Sequence, residues 1–368
     1  MPLPQDTGTL GHTRAAHLLR RATFGPNKSD IDLFATYTPQ QAIIELFPTV
    51  LPDPILPLNP ETGQEWLLTG ITGEELGVDG LTDYLTRWFL SLAVDQTQGL
   101  GDNTREKVVF FLHTHFTTRS EKVRNSRSLY FQNQLFRQFA FDKDQLPEFN
   151  FKTLVKKICV DNAMLKFLDG HQNVKGSPNE NYGRELLELY TIGRGLEGTL
   201  PTDLPAGDYV NYTEQDVQAA ARVLSGYKLD LDFVNIDPET LLPAGTVSPG
   251  AHDNDPKEFS NRFAGQVIEA DPLLLLGTQA TTESTLDELD QLIELIYAQE
   301  EAARYLSRKL YRFYVYHEIT ETIESTIIAE MASTFISSGF KLQNVIEELL
   351  QSQHFYEAAA GADDDKYG

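Results

Sequence analysis

The segment "FFLHTHFTT" places His113 and His115 two residues apart. On an extended chain both rings point the same way and can chelate one metal ion. On a continuous helix they diverge by about 200° and cannot share an ion. Thr117 and Thr118 mark a nearby helix end, so both geometries stay open. The plainer alternative puts one histidine in an aromatic core and the other on a backbone carbonyl. A second polar group lies in "SPNENYGRELLELYTIG", residues 177–193. At about 100° per residue, Asn181, Arg184, Glu185 and Glu188 share one arc of a helix, with Tyr182, Leu186, Leu189 and Tyr190 on the other side. That arc either lines a site or is a solvated face in which Arg184 pairs with Glu180 and Glu188. A third group, "SPGAHDNDPKEF", offers His252, Asp253 and Asp255, an imidazole-and-oxygen set suited to a divalent metal or to ordinary loop turns.

Other signatures are weaker or missing. There is no H-E-x-x-H, G-x-S-x-G or Walker A sequence. Gly193, Gly195 and Gly198 spell G-x-G-x-x-G, but after a helix, so Gly193 reads as a helix stop and not as part of a dinucleotide loop. "RYLSRKLYRFYVY" sets Arg304, Arg308 and Arg312 on one stripe, with Lys309 between them. In a chain of net charge −24 (30 basic minus 54 acidic side chains) these arginines should pair internally with carboxylates. The same charge repels phosphate backbones and anionic lipid, which argues against nucleic acid and favours a cation or a neutral or cationic partner.

The elements that position these groups are mostly helical. Apolar periodicity predicts helices in "RAAHLLRRATFG", "TPQQAIIELF" with Pro39 in its first turn, "LTDYLTRWFLSLAVDQ", "REKVVFFLHTHF", "RSLYFQNQLFRQFAF" and "FKTLVKKICVDNAMLKFLDG". Residues 53–80 read as a long loop. Ser177, Pro178 and Glu180 predict a capping box with a proline start, and Thr213 with Asp216 predicts another at "YTEQDVQAAARVLSGY". "YKLDLDFV" alternates as a strand, with a return through "KEFSNRF". Helices resume from residue 284 to 356.

The expected fold is therefore mainly α: one multi-helix globular unit over residues 1–356, with a small β-hairpin element near 225–263. Its parts are a helical N-terminal half (12–195), the β insertion and a helical C-terminal part (284–356), followed by a disordered tail at 357–368. Cys159, the only cysteine, sits in the apolar run "LVKKICV" as a small buried hydrophobe. The start lacks the apolar core of a signal peptide, from which a cytoplasmic location is expected, and no run of about 18 apolar residues predicts a membrane span.

In order along the chain, "AAHLLRRATFG", "HTHF", "GSPNENYGRELLELYTIG", "YTEQDVQAAARVLSGY", "HDNDPKEF", "ARYLSRKLYRFYV" and "LLQSQHFY" resemble the bacterial domain of unknown function 1800 family. The resemblance covers about residues 12–356. It implies a mostly helical protein without an established activity. It also implies a phosphatase- or sulfatase-like protein, often encoded nearby, as a partner. His17, Arg20 and Arg21 match the family's N-terminal motif, and Asn179, Glu180, Asn181, Arg184 and Glu185 its central one. The usual W-H-N-H-F is met by His113, His115 and Phe116, with Leu112 and Thr114 as departures. H-D-x-G-x-K is met by His252, Asp253 and Lys257, with Asp255 in place of glycine.

Two functions follow as expectations. In the first, a metal-dependent hydrolase, His113, His115 and His252 bind zinc, manganese or iron with Glu185 or Asp253. Glu188 is then the general base on a metal-bound water, and Arg184 and Lys257 hold an anionic part of the substrate. His17, Arg20, Asn179 and Asn181 complete the polar candidates. In the second, a non-enzymatic binding or assembly protein, the same groups form a buried network that fixes helix packing. A helical enzyme using a carboxylate pair on carbohydrate is a third, weaker expectation.

Overall fold

A computed structural model describes residues 2–59, 63, 65, 67, 78–94, 99–196, 201 and 203–357 (for 78–80 the backbone only). The expected tail from 358 onward, parts of the expected 53–80 loop, and Gly198 lie outside the described residues. The chain runs α1 (Gly11–Ala22), α2 (Lys28–Phe34), α3 (Pro39–Leu46), α4 (Val78–Val94), α5 (Leu100–His115), α6 (Ser120–Val123), α7 (Ser126–Ala140), α8 (Phe151–Cys159) and α9 (Asn162–Phe167). Then come α10 (Glu180–Glu185), continuing into a π-helical turn at Leu186–Thr191, and α11 (Glu214–Val223). Four short strands follow: β1 (Tyr227–Lys228), β2 (Thr246–Val247), β3 (Lys257–Glu258) and β4 (Val267–Ile268). The chain closes with α12 (Thr282–Tyr297), α13 (Glu300–Tyr314), α14 (Glu321–Ile323), a second π turn at Glu324–Ile328, α15 (Ala329–Ser337), α16 (Leu342–Gln351) and α17 (Gln353–Glu357). Among the described residues the fold is mainly α, as the periodicity predicts, and its small β element consists of two short antiparallel sheets. No described helix is long and apolar enough to cross a membrane.

The β element differs in detail from the alternation in "YKLDLDFV". Only Tyr227 and Lys228 pair, and they pair with Val247 and Thr246. "KEF" instead joins a separate two-stranded sheet through Lys257↔Ile268 and Glu258↔Val267. The first strand ends because its next residues turn to side-chain partners: Asp230 N donates to Asn162 Oδ1 and Asn235 N to Asp230 Oδ2, and Phe233 takes a left-handed φ of 57°.

One apolar core extends from Leu3 to Tyr356 and takes in residues of most of the helices. The aromatics of α7 serve it and a smaller cluster: Phe136 and Phe139 join the main core, while Tyr130 and Phe131 pack with Leu67, Leu85 and Phe233. The capping box at Thr213 is present, with Asp216 accepting from Thr213 N at 2.7 Å. The one expected at Ser177 is not. Ser177 N bonds Val174 O in a bridge, and Asn179 caps α10 by accepting from Tyr182 N at 3.2 Å.

Gly183 lets α10 and α11 meet backbone to backbone. A Cβ there would lie 2.6 Å from the Val217 carbonyl oxygen and 2.9 Å from Ala221 N, neither of which can swing aside. Alanine is favoured over glycine in a helix by about 1 kcal/mol, but overpacking typically costs about 1–3 kcal/mol. Gly183→Ala is therefore expected to lower stability by up to about 2 kcal/mol in urea unfolding; a raised midpoint would show that the helices can part freely.

Candidate functional site

The π-helical turn at 186–191 sits inside the segment that carries Arg184, Glu185 and Glu188. π turns are rare and concentrate at functional positions. Here Thr191 Oγ1 donates to Leu186 O, and Ile192 N and Gly193 N both reach back to Leu187 O. The carbonyls of its last turn, which a helix end leaves unpaired, are satisfied by side chains from elsewhere. His115 Nε2 donates to Tyr190 O at 2.9 Å. Lys309 Nζ and Tyr305 Oη donate to Leu189 O at 2.6 and 3.1 Å. Asn211 Nδ2 reaches Ile192 O and Gly193 O. Gly193 closes the turn at φ 70°, with the Tyr305 ring 2.6 Å from where a Cβ would stand. Burial holds the Lys309 ammonium down at about 8, with Arg312 adding to the effect.

On the face of this turn, Glu188 accepts from Tyr212 Oη at 2.9 Å and pairs with Arg194 at 2.7 Å. Arg194 lies over the Tyr209 ring, 4.6 Å from its centroid. Arg184 donates to Glu214 at 2.8 Å, across to α11, instead of pairing along its own helix. Glu185 is half-buried and has no hydrogen-bond partner among the described residues. Burial, then the neighbouring charge of Glu188, pushes its carboxyl above the usual range. Asn181 is exposed, and Asn179, the helix cap, also donates to Leu168 O.

The remaining candidates lie in other neighbourhoods. The helix α5 continues through His115, so His113 and His115 diverge. His115 is buried among Phe111, Phe116 and Phe151, and burial holds its pKa well below the usual value. His113 packs against Phe89 and Phe136, and its Nε2 meets Asn133 Nδ2 at 3.0 Å. Arg137 donates to Asn133 Oδ1 and holds Glu106 through two hydrogen bonds. His252 has both ring nitrogens engaged, Nδ1 with Ser225 O at 2.9 Å and Nε2 with Glu288 Oε2 at 3.1 Å. Lys257 pairs with the same oxygen, and all three side chains are fully buried. Asp253 takes a bidentate pair from Arg222, which, working against burial, holds its carboxyl below the usual range. His17 packs on Phe355, with its pKa lowered to about 4 by burial and by Arg21, while Arg20 is exposed.

The three histidines therefore do not meet, and Lys257 faces Glu288 instead of a substrate. Among the described residues no three His, Cys, Asp or Glu side chains form a group that could hold a metal ion. The expectation of internal pairing for the arginine stripe holds for Arg304 with Glu300 and for Arg308 with Glu301 and Glu324. Sequence reasoning missed Tyr212, Arg194, Tyr305 and Glu288. Only the "YTEQ" and "RYLSRK" segments hinted at the first and third, by lying inside the ordered set of motifs.

A family model described as a protein of unknown function, DUF1800, matches residues 17–365. No curated protein and no solved structure matches the chain.

Proposed function

Because the chain belongs to the DUF1800 family, whose description assigns no activity, we propose a function from its own side chains: a hydrolase working through the carboxylate pair Glu185 and Glu188. The observation that carries this reading is the contrast between the two groups. Glu188 is held as an ion pair with Arg194, whereas Glu185 is half-buried, has no hydrogen-bond partner among the described residues, and has its carboxyl raised above the usual range by burial and then by Glu188. Neighbouring carboxyls whose environments differ in this way divide into a proton donor and a base. Glu185 gives its proton to the departing oxygen of the substrate, and Glu188 takes one from the attacking water. Proton exchange with solvent restores both. Arg184 and Arg194 border the pair, each held by a carboxylate of its own, Glu214 and Glu188. The test is a panel of chromogenic esters, glycosides and phosphate esters at pH 5–8. Glu185→Gln and Glu188→Gln should each lower the rate by about 100-fold or more without changing the thermal midpoint. Wild-type turnover that survives both substitutions would overturn the assignment.

A second reading, a binding or assembly protein that works with a phosphatase- or sulfatase-like partner, is favoured by a different observation. Asp253, His252 and Lys257 are consumed by partners inside the fold, and Leu273 and Leu276 are 91% and 73% exposed. Absence of turnover in the wild type over the whole panel would move the argument to this reading.

A further inference from the structure

Cations of three helices stand together around a line of aromatic rings. Arg20 and Arg21 come from α1, Lys107 from α5, and Lys309 and Arg312 from α13. The rings tie the helices to one another. Phe24, just past the end of α1, lies 5.9 Å from Phe110 of α5, which lies 6.3 Å from Phe313 of α13. The Lys107 ammonium sits over two of these rings, 4.9 Å from the centroid of Phe24 and 5.4 Å from that of Phe313. Lys309, Arg312 and Phe313 are three and four residues apart, so one side of α13 carries them. Phe110 is 39% exposed and Arg20 is exposed, so the face is open to solvent.

What this face lacks is carboxylates. The chain has 54 acidic against 30 basic side chains, and Arg304 and Arg308, on the same α13, have theirs. Among the described residues Arg20, Lys107 and Lys309 form no ion pair. The charges that reach them are those of other cations: burial, then Arg21, lowers the Lys107 pKa, and burial, then Arg312, lowers that of Lys309. Like charges gathered in this way repel one another, and an anion laid across them relieves the repulsion.

We propose that this face docks a short acidic segment of a partner protein, its carboxylates on Arg20, Arg21, Lys107 and Arg312 and an apolar side chain on Phe110. Packed helices stand about 8–10 Å apart, so cations on three of them spread over roughly 20 Å, which suits several carboxylates along a chain and not one small oxyanion. The rest of the molecule selects the class of polyanion. A nucleic-acid strand or a membrane sheet extends beyond the face and meets the repulsion of a chain of net charge −24. An extended peptide of about six residues covers roughly 20 Å and stays within the face.

The experiment is fluorescence anisotropy with a dye-labelled peptide of glutamate, aspartate and two phenylalanines, ten residues long. Saturable binding at micromolar concentration is expected, weakened at least fivefold by about 0.3 M salt. The same peptide with glutamine and asparagine as its polar residues should bind at least tenfold more weakly. Arg20→Glu and Lys107→Gln should each weaken binding about fivefold or more with circular dichroism unchanged. Lys175→Glu, the same change of charge at an exposed lysine outside this face, should leave binding as it is. No saturation up to about 1 mM peptide, equal weakening in Lys175→Glu, or tighter binding of a single-stranded thymidine oligomer or of phosphatidylserine vesicles would overturn the proposal. So would a dimer in sedimentation that Arg20→Glu dissolves, because it gives the face to a second copy of the chain.

Discussion

Lys257→Met is expected to lower the unfolding free energy by about 3–5 kcal/mol. The Lys257, Glu288 and His252 side chains are fully buried. Methionine fills similar space, so the substitution removes charge without opening a large cavity. What it leaves is the Glu288 carboxylate, whose Oε1 already has no hydrogen-bond partner among the described residues, facing His252. An uncompensated buried charge costs far more than the pair contributes. Adding Glu288→Gln should therefore recover most of the loss, because the double variant buries no orphaned ion. Urea unfolding of the two single variants and the double variant measures this coupling directly. A Lys257→Met cost below about 1 kcal/mol would mean that this network does not tie β3 to α12.

The second large effect is a pH dependence. Asp161 caps α9, accepting from Met164 N and Gln132 Nε2 at 2.8 and 2.7 Å, and burial pushes its carboxyl up from 3.8 to about 7. In the unfolded chain the proton leaves near 3.8, while the native chain keeps it until about 7. Between those values the native state binds more protons, so this group's contribution is full below pH 3.8 and is lost as pH rises to 7. About three units correspond to about 4 kcal/mol. His17 and His113, with pKa values lowered to about 4, act in the opposite sense between about pH 4 and 6.5, so the wild-type profile alone mixes the two effects. Comparison with Asp161→Asn separates them. Relative to wild type, the variant should gain up to about 4 kcal/mol between pH 4 and pH 7. A difference that stays constant across that range would show that Asp161 is ionised in the native protein throughout.

Much of the architecture was legible in the apolar period. The helices, the stop at Gly193 and the cap at Thr213 follow from local spacing, and the structure repeats them. The site was legible only in part. Arg184, Glu185 and Glu188 do share a half-buried face, but the π turn beneath them left no mark in the pattern. Its carbonyls are satisfied by His115 and Lys309, which are 75 and 120 residues away in sequence from the carbonyls they reach. No local rule carries that information. The two histidines of "HTHF" are separated because the helix stays regular through His115 and ends only there, just before the threonines. Glu288 looked like any acidic residue of an amphipathic helix, and only tertiary packing makes it the partner of His252 and Lys257.

The central claim is that the π turn presents Glu185 and Glu188 as an unequal carboxyl pair. It is tested most directly by a carbon-13 NMR titration of the glutamate side-chain carboxyls, with the Glu185 resonance assigned through Glu185→Gln. The account predicts a Glu185 midpoint above 4.5 in the wild type, moving downward in Glu188→Gln as the neighbouring charge is removed. A Glu185 midpoint at or below 4.5, unmoved by Glu188→Gln, would contradict it.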